Sequence, residues 1–494
     1  MQKLSADVRN MLFIALAYII PRLIFILLTP LMLDEALYTV MISEQMHHIT
    51  LIPTFLSYPM SWKPAPFFWL YGLIANPLLA AGLPLEFAFR FPSLLFGLLS
   101  LLPLYLVLRK AGASKGVAFL SLVVFIFSGI SVYPQSTVLT DAPLFLCIIL
   151  SMFLYMEDRY GRWRFLAAGL LAFLAFFFKL VFAFMPPVLA VAWFFLKDKK
   201  TLRDPVFLFS LCLPFVAMVL QYSLLQSVGL GNQLFIGDIG GHLVSNQGLF
   251  GQFRGAYNSV LVFFIFSPVF IGLFVIGFMK YWRENLFMSF WACLTVIPLL
   301  SSSTMPWYFL PVLPAISFFS VMLLVRQGKE EKIDLFLLLT IAILVIASLA
   351  FFYYVEYNEY LIFQPQKEAG MFIAGKPNVL IVGSYKPSII AYKMEIEYHS
   401  MGAPLDFGWI VVPQDSNRSV VADFVKDYDN AKYDNITTNG SFSSAFTSMI
   451  NFRKDTNITR FDYIVMAGRA DYVPSNSTPL YANNATNISV YEVG

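Results

Sequence analysis

A chain of 494 residues that is 58% hydrophobic and only 13% charged, with a mean hydropathy of +0.70, carries more apolar surface than a water-soluble fold of that length can hide. Its net charge of +3 is too small and too scattered for a nucleic-acid binder. Cys147, Cys212 and Cys293 all lie inside apolar stretches, which leaves neither a disulfide framework nor a thiolate zinc site, and His47, His48, His242 and His399 show no ligand spacing. No cofactor or metal site is evident, and dependence on a divalent metal stays open.

Taken in chain order, apolar runs able to cross or nearly cross a bilayer cover 11–32, 92–108, 116–134, 142–156, 165–178, 180–196, 206–225, 259–279, 286–301, 307–325 and 334–354. About eleven spans predict a mostly α, polytopic membrane helix bundle. Lys3 and Arg9 precede the first run without a small-residue cleavage pattern, so that run reads as a retained span. With the N-terminus cytoplasmic, the inner loops hold seventeen Lys and Arg, among them Arg109, Lys197 and Lys280, whereas the outer loops before residue 355 hold only Lys63, Arg90 and Arg254. The run Phe67 to Leu83 would reverse this orientation if it spanned, so it reads as a helix at the outer interface, where Trp62, Trp69 and Tyr71 sit well. The stretch 165–196 reads as a hairpin of two short halves turning at Lys179.

Residues 1–354 thus form the membrane part, with an outer loop 33–91. Composition changes after Tyr354. Runs at Val379 to Val382, Trp409 to Val412 and Tyr463 to Met466 read as strands, and Ser388 to Lys393 and Val420 to Tyr428 as helices, which gives a soluble α/β domain over 355–494. An odd number of spans places that domain on the extracytoplasmic side. All seven N-x-S/T sequons begin there, at Asn417, Asn435, Asn439, Asn457, Asn476, Asn484 and Asn487.

The chemistry gathers at the outer leaflet. The acidic pair Asp34-Glu35 follows the first span and opens a helix from Ala36 to His48; Lys63, Arg90 and Asp141 stand near the same leaflet. Carboxylates at a membrane edge are costly without a task or a partner, although an acidic pair also suits a helix N-terminus. Such a set fits attack of a hydroxyl on the anomeric carbon of a sugar phosphate: Asp34 as general base, Glu35 and Asp141 orienting it or binding the sugar, and Lys63, with Arg90 and Arg254, holding the phosphate on which charge develops.

The segments Leu33-Asp34-Glu35-Ala36-Leu37-Tyr38, Trp62-Lys63-Pro64-Ala65-Pro66, Arg90-Phe91-Pro92-Ser93 and Thr140-Asp141-Ala142-Pro143 together resemble the motif skeleton of the protein O-mannosyltransferase and aminoarabinose transferase superfamily. Phe177-Phe178-Lys179 and Met305 to Pro314, with Tyr308, resemble its later motifs. The likeness covers roughly residues 10–326. It implies a membrane-embedded GT-C fold, a dolichyl- or polyprenyl-phosphate-linked donor, often mannose, and inversion with the first acidic residue as base; Lys179 and Tyr308 join the donor-phosphate residues on this likeness. Ala65 replaces a proline of the family pattern, and His242 and Arg254 match it only loosely.

No WWD-type triplet occurs in the outer domain, which argues against an oligosaccharyltransferase, and Asp427-x-Asp429 lies on the side where nucleotide sugars are not available. The expected partners are the lipid-phosphate sugar, membrane lipids and a protein, glycan or lipid acceptor. The competing readings are a transporter or flippase of lipid-linked sugars, for which internal repeats and midplane charges beyond Arg22 and Lys179 are missing, and a receptor or assembly factor acting through the outer domain.

Overall fold

The computed structural model describes residues 6–55, 58–59, 64–231, 268–294, 306–326, 335–383, 387–401, 405, 407–411, 462–467, 478–483 and 487–492. Lys63, His242, Arg254, the Asp427-x-Asp429 pair, the helix expected over Val420 to Tyr428 and every sequon asparagine except Asn487 lie outside them. Asn487 is exposed in a turn with φ of 52°.

Helices α1 (Ala6–Leu28), α4 (Leu85–Lys110), α5 (Lys115–Phe127), α7 (Asp141–Met156), α8 (Trp163–Phe176), α10 (Met185–Lys197) and α11 (Pro205–Gln226) build the bulk of the bundle. Short helices α6 (Gly129–Val132) and α9 (Leu180–Ala183) lie between them. Among the described residues five helical stretches are long and apolar enough to cross a membrane, and six shorter helices are apolar. Their outer faces show large apolar side chains, for example Leu12, Phe13, Leu16 and Ile20 on α1 and Phe209, Phe215 and Val219 on α11. That is the surface of a helix whose solvent is lipid. Asp204 caps α11 by accepting from Val206 N at 2.8 Å ahead of Pro205, a start signal readable in the sequence.

Several boundaries differ from the expected spans. The run from Phe67 forms α3 (Ala65–Ala80), with Phe67, Phe68, Tyr71 and Ala75 buried against α2 (Leu33–His47) and α4. The span expected from residue 92 begins at Leu85, because Glu86 and Arg90 are carried inside by partners described below. The span expected over 116–134 breaks at Ser128, and its remainder becomes α6 and a turn-rich stretch leading to α7. Fully buried Arg22 of α1 fixes that stretch, donating to Ile126 O at 3.0 Å, Ser131 Oγ at 2.8 Å and Gln135 Oε1 at 2.9 Å. The hairpin expected over 165–196 is present as α8 and α10, interrupted at Phe177–Lys179.

Later come α12 (Pro268–Tyr281), α13 (Leu286–Cys293), the 3-10 helix η1 (Pro306–Val312) and α14 (Leu313–Arg326). Then α15 runs 39 residues, Leu335–Ile373, past the expected end of the last span. A ribbon of β1 (Thr54–Phe55) and β2 (Tyr58–Pro59) follows α2. The C-terminal sheet has the order β4-β3-β5-β7-β6. Its strands β3 (Val379–Gly383), β4 (Phe407–Val411) and β5 (Tyr463–Ala467) are parallel, as expected for an α/β unit, while β7 (Ile488–Glu492) pairs antiparallel with β5 and with β6 (Pro479–Asn483). The antiparallel pair was not legible: β6 is largely exposed, and Asn- and Ser-rich segments flank the two strands. Helix α16 (Pro387–Met401) lies against α15 so closely that a Cβ on Gly370 would stand 2.6 Å from Ile389 O.

A candidate active site where α1, α2, α4 and α7 meet

The acidic pair divides its labour. Glu35 is buried and reaches back to Met32 N at 3.1 Å, so it, rather than Asp34, supplies the capping contact of α2. Its carboxylate also takes Arg90 Nε at 2.8 Å, an Arg90 terminal nitrogen at 2.7 Å and Val138 N at 2.9 Å. Asp34, one residue earlier, is only half-buried, in the first turn of the same helix.

Arg90 is fully buried and spends its N–H groups inside the protein: besides Glu35 it donates to Thr29 O at 2.8 Å, Thr29 Oγ1 at 2.9 Å and Pro30 O at 2.7 Å. The geometry corrects two expectations. Arg90 has no N–H to offer a donor phosphate, and Glu35 has no open oxygen with which to bind sugar; they brace the turn from α1 into α2. A fork with five donors is what makes an Arg, and not a Lys, able to hold one carboxylate and a run of carbonyls at once.

The second half of the site hangs on the segment 137–141. Tyr71 of α3 donates to Leu139 O at 2.9 Å and meets Ser93 Oγ at 2.6 Å, and Ser93 donates to Thr137 O at 2.5 Å. Two residues on, buried Asp141 at the start of α7 pairs with Lys179 Nζ at 2.8 Å. Lys179 stands in the break between α8 and α9, with its ammonium 3.7 Å from the centre of the Tyr308 ring. Two of the expected carboxylates, Asp34 and Asp141, and the later-motif residues Lys179 and Tyr308 therefore collect at one end of the bundle. Sequence reasoning set Tyr71 at the outer interface, whereas it is buried in these bonds, and it missed Ser93, which stood in plain view within Arg90-Phe91-Pro92-Ser93. Among the described residues no cluster of three His, Cys, Asp or Glu side chains is set to hold a metal ion.

Helix α16 of the C-terminal part lies along α2. Ser43 donates to Glu395 Oε2 at 2.7 Å, and the His47 and Tyr398 rings stack at 4.4 Å. The other oxygen of buried Glu395 has no partner among the described residues. Burial pushes this carboxyl up to about 8; Ser43 opposes the rise and Glu44 adds to it. The charged groups on the two helices packed against α16 are Asp34, Glu35, Glu44 and His47 of α2 and Glu356, Glu359, Lys367 and Glu368 of α15; of these, Glu44 raises it by its charge. Between about 4.5 and about 8 the unfolded chain has lost this proton and the folded one keeps it, so the group removes stability as pH rises through that window. Thermal unfolding of the wild type compared with Glu395→Gln at several pH values should show the gap moving in the variant's favour toward pH 8. Parallel curves would show that Glu395 is ionised in the fold.

No family model and no curated protein sequence matches this chain. Solved structures do. ArnT from Cupriavidus metallidurans bound to undecaprenyl phosphate is similar with a TM-score of 0.62 over 99% of this chain and 98% of that one, at 15% identity. The Archaeoglobus fulgidus oligosaccharyltransferase AglB, in complex with an inhibitory peptide and a dolichol-phosphate, is similar with a TM-score of 0.51 over 93% of this chain and 69% of that one, at 12% identity. The chain therefore has the fold of these two proteins.

Proposed function

We propose that this chain is a glycosyltransferase that moves a single sugar, mannose or a related one, from a dolichyl- or polyprenyl-phosphate donor to a protein, glycan or lipid acceptor, with inversion. Asp34 is the general base. The observation that carries this reading is the division within the acidic pair. Glu35 is consumed by Arg90 and the helix cap, and half-buried Asp34 is held rigidly beside it, where an acceptor hydroxyl can be deprotonated as it attacks. Lys63 and Lys179 take the donor phosphate, with Asp141 and Tyr308 keeping the Lys179 ammonium in place, and Arg254 assists. An apolar groove of about 920 Å³ begins at Phe184, five residues beyond Lys179, and runs along α10 to Leu196; it suits the polyprenyl chain of the same donor.

The arrangement in the membrane belongs to the same proposal: about eleven spans over 1–354 with the N-terminus cytoplasmic, and residues 355–494 as an extracytoplasmic α/β domain, its sequons on the side where they can be modified. The lysine loops and the sequon clustering support it.

The test is donor binding. Lys63→Ala and Lys179→Ala should each weaken binding of a polyprenyl phosphate by on the order of 10- to 100-fold, the value of one charge-assisted contact. Lys63→Arg should keep part of it, since charge matters more than fork geometry for a single contact. Unchanged affinity in both alanine variants, measured on folded protein, removes the phosphate from these two lysines and the reading with it.

A further inference from the structure

The turn that carries Asp34 is secured atom by atom. Thr29 N donates to Phe25 O at 3.1 Å, and Arg90 takes Thr29 O and Pro30 O. Pro30 has no N–H. Met32 N goes to Glu35, and Met32 O accepts Ala36 N at 2.7 Å. What remains is Leu31, and both of its backbone groups are held from more than 350 residues away. Leu31 N donates to Tyr392 Oη at 2.8 Å, and Ser388 Oγ donates to Leu31 O at 3.0 Å. Tyr392 in turn donates to Glu86 Oε1 at 2.7 Å, on which Lys367 Nζ also closes, at 2.5 Å. Tyr392, Ser388 and Glu86 are buried, so none of these bonds trades freely with water. Ser43–Glu395 and His47–Tyr398 then fasten the same two helices along their length.

A carboxylate placed by so many bonds to a short turn is pre-organised, and a share of that order comes from α16. From this geometry we propose that Tyr392 and Ser388 are positioning residues of the transfer reaction, which makes the C-terminal domain part of the catalytic unit instead of a separate acceptor-binding appendage. Tyr392 suits the task because one phenol both accepts from Leu31 N and donates to Glu86; a phenylalanine in its place leaves a buried N–H without an acceptor and frees the turn ahead of Asp34. The proposal rests on Asp34 acting as the base.

Steady-state transfer by the full chain, with a polyprenyl-phosphate sugar as donor, tests it in Tyr392→Phe and Ser388→Ala, with Asp34→Asn as the inactive reference. Tyr392→Phe should lower kcat on the order of 10- to 100-fold, as expected for a base displaced by about an ångström, with donor KM unmoved because the substitution leaves the Lys179–Asp141 pair in place. Ser388→Ala should lower kcat in the same direction by less, and it decides the matter if the tyrosine variant does not fold. Wild-type kcat in both variants, or losses that only track the fraction of folded protein, overturns the positioning role while leaving the transferase reading intact. No transfer by the wild type overturns that reading and the positioning role together.

Discussion

Asp34→Asn abolishes or greatly reduces sugar transfer, by on the order of 10²–10⁴-fold, while donor affinity stays near that of the wild type. The asparagine keeps the size and most of the hydrogen bonding of the aspartate, neither repels a phosphate nor opens a cavity, and lacks only the ability to take a proton. The helix-cap alternative makes the opposite forecast, because Asn caps about as well as Asp. The capping contact itself comes from Glu35, which reaches back to Met32 N. Transfer rate and donor affinity, measured together on Asp34→Asn and Asp34→Ala, separate chemistry from stability. Full activity in a folded Asp34→Asn protein ends the assignment and makes Asp141 the next carboxylate to test.

Arg90→Ala has its large effect on the fold. The pair with Glu35 is buried on both sides, and removing the arginine leaves a carboxylate in the interior together with the carbonyls of Thr29 and Pro30. Breaking one partner of such a pair costs about 3–5 kcal/mol, a large share of the ~5–15 kcal/mol that holds a typical domain together. The variant should melt far below the wild type or fail to yield monodisperse protein. Replacing both residues with apolar ones, Arg90→Met with Glu35→Leu, should recover only part of the loss, because no orphaned charge remains but Thr29 O, Pro30 O, Met32 N and Val138 N lose their partners. A variant Arg90→Ala that melts like the wild type and binds donor lipid poorly would return Arg90 to the phosphate site.

The sequence made the membrane legible, since apolar length needs no tertiary information. Asp34 and Asp141 stood out because charged groups beside apolar runs are rare, and Lys179 and Tyr308 because their segments resemble family motifs; the structure brings Asp141, Lys179 and Tyr308 together. Sequence reasoning misjudged Glu35 and Arg90 for a related reason. Composition says that a buried charge requires a partner; it does not say that the partner is another candidate from the same set. With Arg90 assigned to the leaflet, the fourth helix was expected to begin at residue 92, and the paired charges instead allow it to begin at Leu85. The contacts of Tyr392 and Ser388 with Leu31 were beyond reach, because no local pattern ties residues more than 350 positions apart. The β6–β7 pair escaped because β6 buries none of its side chains and so leaves no apolar pattern.

The most direct test of the central claim is reconstitution of the purified chain in liposomes with a polyprenyl-phosphate donor labelled in its sugar and a mixture of hydroxyl acceptors. The account predicts that the labelled sugar appears on an acceptor with its anomeric configuration inverted, that free polyprenyl phosphate appears in equal amount, and that both cease in Asp34→Asn. Passage of the intact lipid-linked sugar to the opposite leaflet without cleavage, unaffected by Asp34→Asn, would contradict it and make the chain a flippase.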